Sequence, residues 1–200
     1  MLIAISGSQG SGKSSIISAL SELGYITITR KTSRSILSDW GVTLTQVNSD
    51  NELTCKFQDE ILKRKLEDDS VVEKMHKLGK LGASVVVTER SFADLWTYAL
   101  VAMGSNNSYS DWLDEYYRKC MAAQQVYDKV YYLRAGHFKP EHDGVRGSNR
   151  HYSRMVDLTM IDYFGQMTQP TKQCIIETPN FNDRMAILTS HNPLWTSSKV

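Results

Sequence analysis

At 200 residues, with 41% apolar and 22% charged side chains, the chain suits one globular domain with a core of its own. Its 23 basic and 22 acidic residues give a formal charge of +1, which supplies no general field for nucleic acid or membrane. No apolar run reaches bilayer length and the sequence opens on a core-like strand, so a cytoplasmic setting without a membrane partner is expected. Cys55, Cys120 and Cys174 are scattered without metal-ligand spacing and read as reduced packing residues.

The first predicted element is the apolar run Leu2-Ile3-Ala4-Ile5, which reads as a buried parallel strand. It leads into Gly7-Ser8-Gln9-Gly10-Ser11-Gly12-Lys13-Ser14, which fits the spacing glycine, four residues, Gly-Lys-Ser/Thr, and a helix over Ser15 to Leu20 follows. Glycines let a backbone wrap an anion with its N–H groups turned inward, and the helix N-terminus adds partial positive charge. Gly7, Gln9, Gly10, Ser11, Gly12, Lys13, Ser14 and Ser15 are therefore the expected ligands of ATP phosphates, Lys13 reaching the β- and γ-phosphates and Ser14 binding Mg²⁺. The competing reading is a plain Gly/Ser turn, which the flanking strand and helix disfavour.

Gly24 stops this helix, and Tyr25 to Thr29 reads as a second strand ending in the basic turn Thr29-Arg30-Lys31-Thr32-Ser33-Arg34. A short helix runs to Trp40 and Gly41 closes it, and Val42 to Asp50 reads as loop. Asn51 to about Lys80 is helical by pattern, with Leu53, Phe57, Ile61, Leu62 and Leu66 on one face; Asp68-Asp69-Ser70 is expected to break it in two. Ala83 to Thr88 reads as a third, buried strand, followed by Glu89-Arg90-Ser91 and a helix from Phe92 to Met103. After a polar loop over Gly104 to Ser110, a helix over Asp111 to Tyr127 carries enough apolar surface for the core or for a homodimer interface, and Lys129 to Leu133 is a fourth strand. Arg134 to Arg154, rich in Gly, His and Arg, is too polar for a core element. A helix from His151 to Gln166, a strand from Gln173 to Glu177 and a helix from Asn182 to Leu188 complete a domain over 1–188, leaving 189–200 as a loosely held tail. This alternation predicts an α/β fold: an open, mostly parallel five-stranded sheet with helices on both faces and ligands at the carboxyl edge.

From Met1 to about Leu188 these residues resemble the P-loop nucleoside and nucleotide kinases, a group that includes deoxynucleoside kinases and thymidylate kinase. The resemblance implies a P-loop NTPase three-layer sandwich with an Arg-rich lid over about 134–154. Val85 to Phe92 looks like the strand and following Glu-Arg-Ser of deoxynucleoside kinases; that likeness implies that Glu89 holds Mg²⁺, directly or through water, and that Arg90 contacts transferring or acceptor phosphate. The alternative for this turn is a surface ion pair or a helix cap, and Thr88 is a candidate for part of the carboxylate's role. Phe57-Gln58 resembles a pair whose glutamine reads the base, since an amide sets donor and acceptor side by side; the alternative is an exposed glutamine with no role beside a core phenylalanine. Trp40, Trp96 and Tyr98 are aromatic side chains able to stack on a base or simply to pack. Arg134, Arg146, Arg150 and Arg154 resemble lid arginines, with Arg146 and Arg150 the expected catalytic pair, and the adenine pocket is implied near Thr178-Pro179-Asn180.

One departure bears on the acceptor. Deoxynucleoside kinases carry a glutamate just after the second strand as general base; here Thr29-Arg30-Lys31 stands there and no carboxylate follows before Asp39. A nucleoside monophosphate brings an ionised oxygen as nucleophile, so it needs cations rather than a base. Arg30 and Arg34 are thus expected to bind the acceptor phosphate, and the resemblance adds Gln58 and Arg90 to the acceptor site, in a kinase using ATP and Mg²⁺ on a (deoxy)nucleoside monophosphate, with small-molecule rather than nucleic-acid partners. Two alternatives stay open: transfer to a hydroxyl of a nucleoside, a modified base or end in DNA, or a cofactor precursor, with Asp39 or Glu89 as base; and a nucleotide-switch ATPase.

Overall fold

The computed structural model describes residues 1–29, 32–81, 84–134, 150–166 and 172–190. Its elements in chain order are β1 (Leu2–Ser6), α1 (Lys13–Glu22), β2 (Ile26–Ile28), α2 (Thr32–Trp40), α3 (Leu44–Ser49), α4 (Asn51–Lys77), β3 (Val86–Glu89), α5 (Phe92–Met103), α6 (Ser110–Gln124), β4 (Lys129–Leu133), α7 (Arg150–Gln166), β5 (Gln173–Ile176) and α8 (Phe181–Ser190). The strands form one sheet in the order β2-β3-β1-β4-β5, and every pairing is parallel. Parallel neighbours put all strand ends on one edge, and β1, between β3 and β4, delivers its loop to the middle of that edge.

Side chains on a strand alternate between faces, and the core divides accordingly. Leu2, Ala4, Val86, Val130 and Tyr132 pack with α4, α5, α6 and α7, whereas Ile3, Ile5, Val87, Tyr131, Leu133 and Ile176 pack with Ile16, Ile17 and Leu20 of α1 and Leu188 of α8. A smaller cluster of Ile36, Leu37, Val47 and Phe57 ties α2 and α3 to α4. Leu113, Tyr116 and Cys120 of α6 face the first core, so the apolar side of that helix is used within the chain. Among the described residues no helix is long and apolar enough to cross a membrane, and all three cysteines are free.

Two expectations about elements need correction. The stretch after Gly41 is not all loop: α3 forms because Thr43 Oγ1 accepts from the Gln46 N–H (3.2 Å) while Gln46 Oε1 accepts from the Thr43 N–H (2.8 Å), a capping box. Helix α4 is unbroken from Asn51 to Lys77, through Asp68-Asp69-Ser70. Asp69 does not unwind it because its carboxylate is anchored in the core: Lys65 Nζ lies 3.0 Å from one oxygen and the Tyr127 hydroxyl donates to the same oxygen at 2.5 Å. Ser70 turns its hydroxyl back onto the Glu67 carbonyl (2.8 Å), which the helix tolerates.

Candidate active site

The phosphate loop is built around two backbone demands. Gly12 stands in the left-handed region (φ 88°) as the N-cap of α1. At Gly7 (φ 151°), a Cβ would lie 2.6 Å from Ser11 Oγ and 2.7 Å from the Leu133 carbonyl, so only glycine fits between β1 and β4. Lys13 is buried and its ammonium donates to the Gly7 and Ser8 carbonyls at 2.7 and 2.8 Å. Ser14 and Ser15 are exposed on the first turn of α1, and the Gln9 side-chain amide nitrogen is buried with no hydrogen-bond partner among the described residues. A cradle of positive-φ glycines, an ammonium at its rim and an exposed hydroxyl beside it fit a phosphate chain with a divalent cation.

β3 delivers the second half. Glu89 lies opposite Ile5 in register, and the Arg90 N–H donates to the Ile5 carbonyl (2.9 Å), so the Glu-Arg-Ser turn runs beside the phosphate loop. Arg90 is the non-glycine residue held at positive φ (67°) among those described, a conformation that costs about 1–2 kcal/mol and marks a site under constraint. Its guanidinium lies 5.0 Å from the Tyr98 ring centre and 3.6 Å from the Asp94 carboxylate, while Nη1 is buried without a hydrogen bond. Burial opposes the charge, but Tyr98, Asp94 and Glu89 together outweigh it and hold Arg90 above its ordinary range. A cation is thus fixed beside the loop with part of its hydrogen-bonding capacity unspent.

Asp94 joins the two halves. Fully buried, it accepts from the Gly7 N–H (3.1 Å) through one oxygen and from the Ser91 N–H (2.8 Å) and hydroxyl (3.3 Å) through the other. Ser91 is the N-cap of α5, and its Oγ also accepts from the Ser6 hydroxyl at 2.7 Å. The Glu-Arg-Ser turn is therefore a helix cap as well as the carrier of Arg90.

A family model described as an AAA domain matches residues 2–183. The chain belongs to that family. The AAA domain has the fold of solved P-loop kinases: a deoxyadenosine kinase from M. mycoides with bound dATP superposes with a TM-score of 0.67 at 18% identity over 96% of this chain and 98% of that one. The same enzyme with products dCMP and a flexible dCDP bound gives a TM-score of 0.66 at 18% identity, over 96% of this chain and 97% of that one. NadR protein in complex with NR gives 0.67 at 12% identity, covering 100% of this chain but 50% of that one. No curated protein matches the chain.

The remaining expected residues of the AAA domain distribute unevenly. Arg34 is half-buried in the first turn of α2, beyond the end of β2; Arg30 lies outside the described residues. Gln58 is buried rather than exposed, on α4, and its backbone carbonyl accepts from the Tyr116 hydroxyl (3.2 Å); Phe57 is core, with Trp40 edge-on to it. Thr88 is bonded to Lys65 Nζ at 3.0 Å, and Asp39 to Arg64 at 2.9 Å. Arg134 is held by Asp157 (3.2 Å) and Glu177 (3.0 Å), Arg150 opens α7, Arg154 is exposed, and Arg146 lies outside the described residues with most of the expected lid.

Sequence reasoning missed Asp94 and Arg184. The signal for Asp94 was the spacing Ser91-x-x-Asp94 ahead of an apolar helix, which marks a capping box. Arg184 had no local signal: buried on α8, it donates to the carbonyls of Ser11, Thr178 (2.6 Å) and Arg134 (3.4 Å), and loss of water lowers its pKa.

Proposed function

We propose that this AAA domain is an ATP-dependent kinase that transfers the γ-phosphoryl group to a (deoxy)nucleoside monophosphate. The observation that carries this reading is how the nearby carboxylates are used. Asp39 pairs with Arg64, Asp69 with Lys65 and Tyr127, and Asp94 with the loop N–H groups and Arg90. The carboxylate of Glu89, which heads the Glu-Arg-Ser turn opposite Ile5, makes no hydrogen bond to the described residues, which leaves it for a metal ion. With Asp39, Asp69 and Asp94 engaged and, among the described residues of that turn and the phosphate loop, no further carboxylate to deprotonate an alcohol, an acceptor that arrives ionised suits the site.

In this reading the loop N–H groups bind the donor phosphates, and Lys13 leaves the Gly7 and Ser8 carbonyls to meet them. Ser14 and Glu89 would hold Mg²⁺, whose charge offsets that on the phosphoryl oxygens. Arg90 turns its unspent N–H groups to the transferring phosphoryl, and Arg34, with Arg30 of the same turn, binds the acceptor phosphate.

A second reading, transfer to a nucleoside hydroxyl with Glu89 as base, draws on the likeness to the deoxyadenosine kinase from M. mycoides. One coupled assay with matched nucleosides and monophosphates decides between them. Turnover of monophosphates alone is expected, with Arg34→Ala raising the acceptor KM about tenfold and leaving the ATP KM in place. Turnover of nucleosides alone overturns the first reading in favour of the second.

A further inference from the structure

The contacts that hold Arg90 fix where its charge is, but the ion pair alone does not fix how its plane is turned. Asp94 approaches at 3.6 Å, too long for a hydrogen bond, and Nη1 makes none. A long side chain on a strained backbone, pulled by an ion pair but not forked onto it, takes its orientation from its remaining neighbour, Tyr98, whose hydroxyl also hydrogen-bonds to it. What faces the guanidinium is the Tyr98 ring, with the guanidinium carbon 5.0 Å from the ring centre, well inside the range in which an aromatic face attracts a cation.

Tyr98 lies in the second turn of α5, and its ring meets that of Tyr152 with centroids 6.3 Å apart and planes at 37°. Tyr152 is half-buried in the first turn of α7, two residues after that helix begins at Arg150. Three groups from three elements thus form one column: the arginine after β3, a ring on α5 and a ring on α7.

We propose that Tyr98 and Tyr152 are positioning residues for Arg90, an aromatic column through which the seating of α7 against α5 sets the plane of the arginine that faces the phosphate loop. The proposal rests on the kinase reading above. Tyr98 supplies the surface against which the guanidinium lies; Tyr152 keeps that surface from tilting away. Neither ring touches the reacting atoms, and the effect of each passes through Arg90.

A double-mutant cycle separates this role from ordinary packing. In the intact chain, Tyr98→Leu and Tyr152→Leu are expected to lower kcat about tenfold and about threefold, the ATP KM unchanged, while Tyr152→Phe retains most of the activity because its ring face remains and Tyr98→Phe, which keeps the face but loses the hydroxyl that bonds Arg90, falls between wild type and Tyr98→Leu. In an Arg90→Ala background the leucine changes are expected to add nothing further. The same cycle, read by calorimetry as affinity for a dinucleotide that joins adenosine through five phosphates to a deoxynucleoside, needs no turnover. If the leucine changes lower activity or affinity by the same factor with and without Arg90, the column is packing and the proposal is wrong. An unaltered kcat in Arg90→Ala overturns the role of Arg90 itself, and failure of the unmodified chain to bind the dinucleotide overturns the kinase reading; either removes the proposal with it.

Discussion

Asp94 does two jobs with one carboxylate. One oxygen takes the N–H of the first loop glycine and the other takes the N–H of the residue after Arg90, so a rigid group two bonds wide sets the spacing between the donor cradle and the cation facing it. Replacing it with asparagine keeps an acceptor for one N–H but turns an amide nitrogen toward the other and removes the charge beside Arg90. Asp94→Asn is expected to lower kcat about 100-fold with a smaller change in the ATP KM, since a displacement of about 1 Å at a phosphoryl-transfer site costs that much. Steady-state kinetics beside a thermal melt checks this. Activity within twofold of the unmodified chain would mean the two halves hold their spacing by other means. The spacing from Ser91 marks Asp94 as a cap in the sequence, but its second contact, with the Gly7 N–H, spans 87 residues and only the fold shows it.

Among the elements, α4 shows how a local propensity is overridden. Two aspartates and a serine in a row favour a break, yet Lys65, one turn earlier on the same face, meets Asp69 under Phe92 and Tyr127, and the helix runs on. The pair is nearly out of water, so removing one partner strands a charge. Asp69→Ala is expected to destabilise the chain by about 3–5 kcal/mol in urea unfolding, and the double change Lys65→Met with Asp69→Leu to restore most of the loss. If Asp69→Ala cost less than about 1 kcal/mol, the ammonium would be reaching water in the folded state. Helix α3 teaches the converse. It is six residues long and mostly polar, too short for periodicity to reveal, but Thr43 and Gln46 carried a readable cap signature.

At the scale of the whole molecule, strand content and the phosphate loop were legible because buried parallel strands are runs of apolar residues and the loop has a fixed spacing. What was not legible is the set of long-range polar ties: Arg134 to Asp157 and Glu177, and Arg184 to three carbonyls, join residues that no periodicity relates. Burial also sets a pH limit for the chain. It pushes the thiols of Cys55 and Cys120 from 9.0 up to about 11 and about 12, and the hydroxyl of Tyr152 from 10.0 to about 12. The unfolded groups lose their protons first, so their contribution is complete below their ordinary values and is lost as pH rises through the folded ones. The melting temperature is therefore expected to decline as pH climbs above about 9, with a gentler slope in Cys120→Ala; a flat profile to about pH 11 would show that these groups do not stay protonated in the fold.

Arg184 reaches back across 173 residues to the carbonyl of Ser11. The glycine cradle and its fastener are thus made at well-separated times, so a nascent chain halted before α8 would carry the whole glycine spacing and still lack the clasp on its outer wall. Order in the outer wall of the cradle should thus arrive in one step, once α8 has been made and docked, rather than growing with chain length.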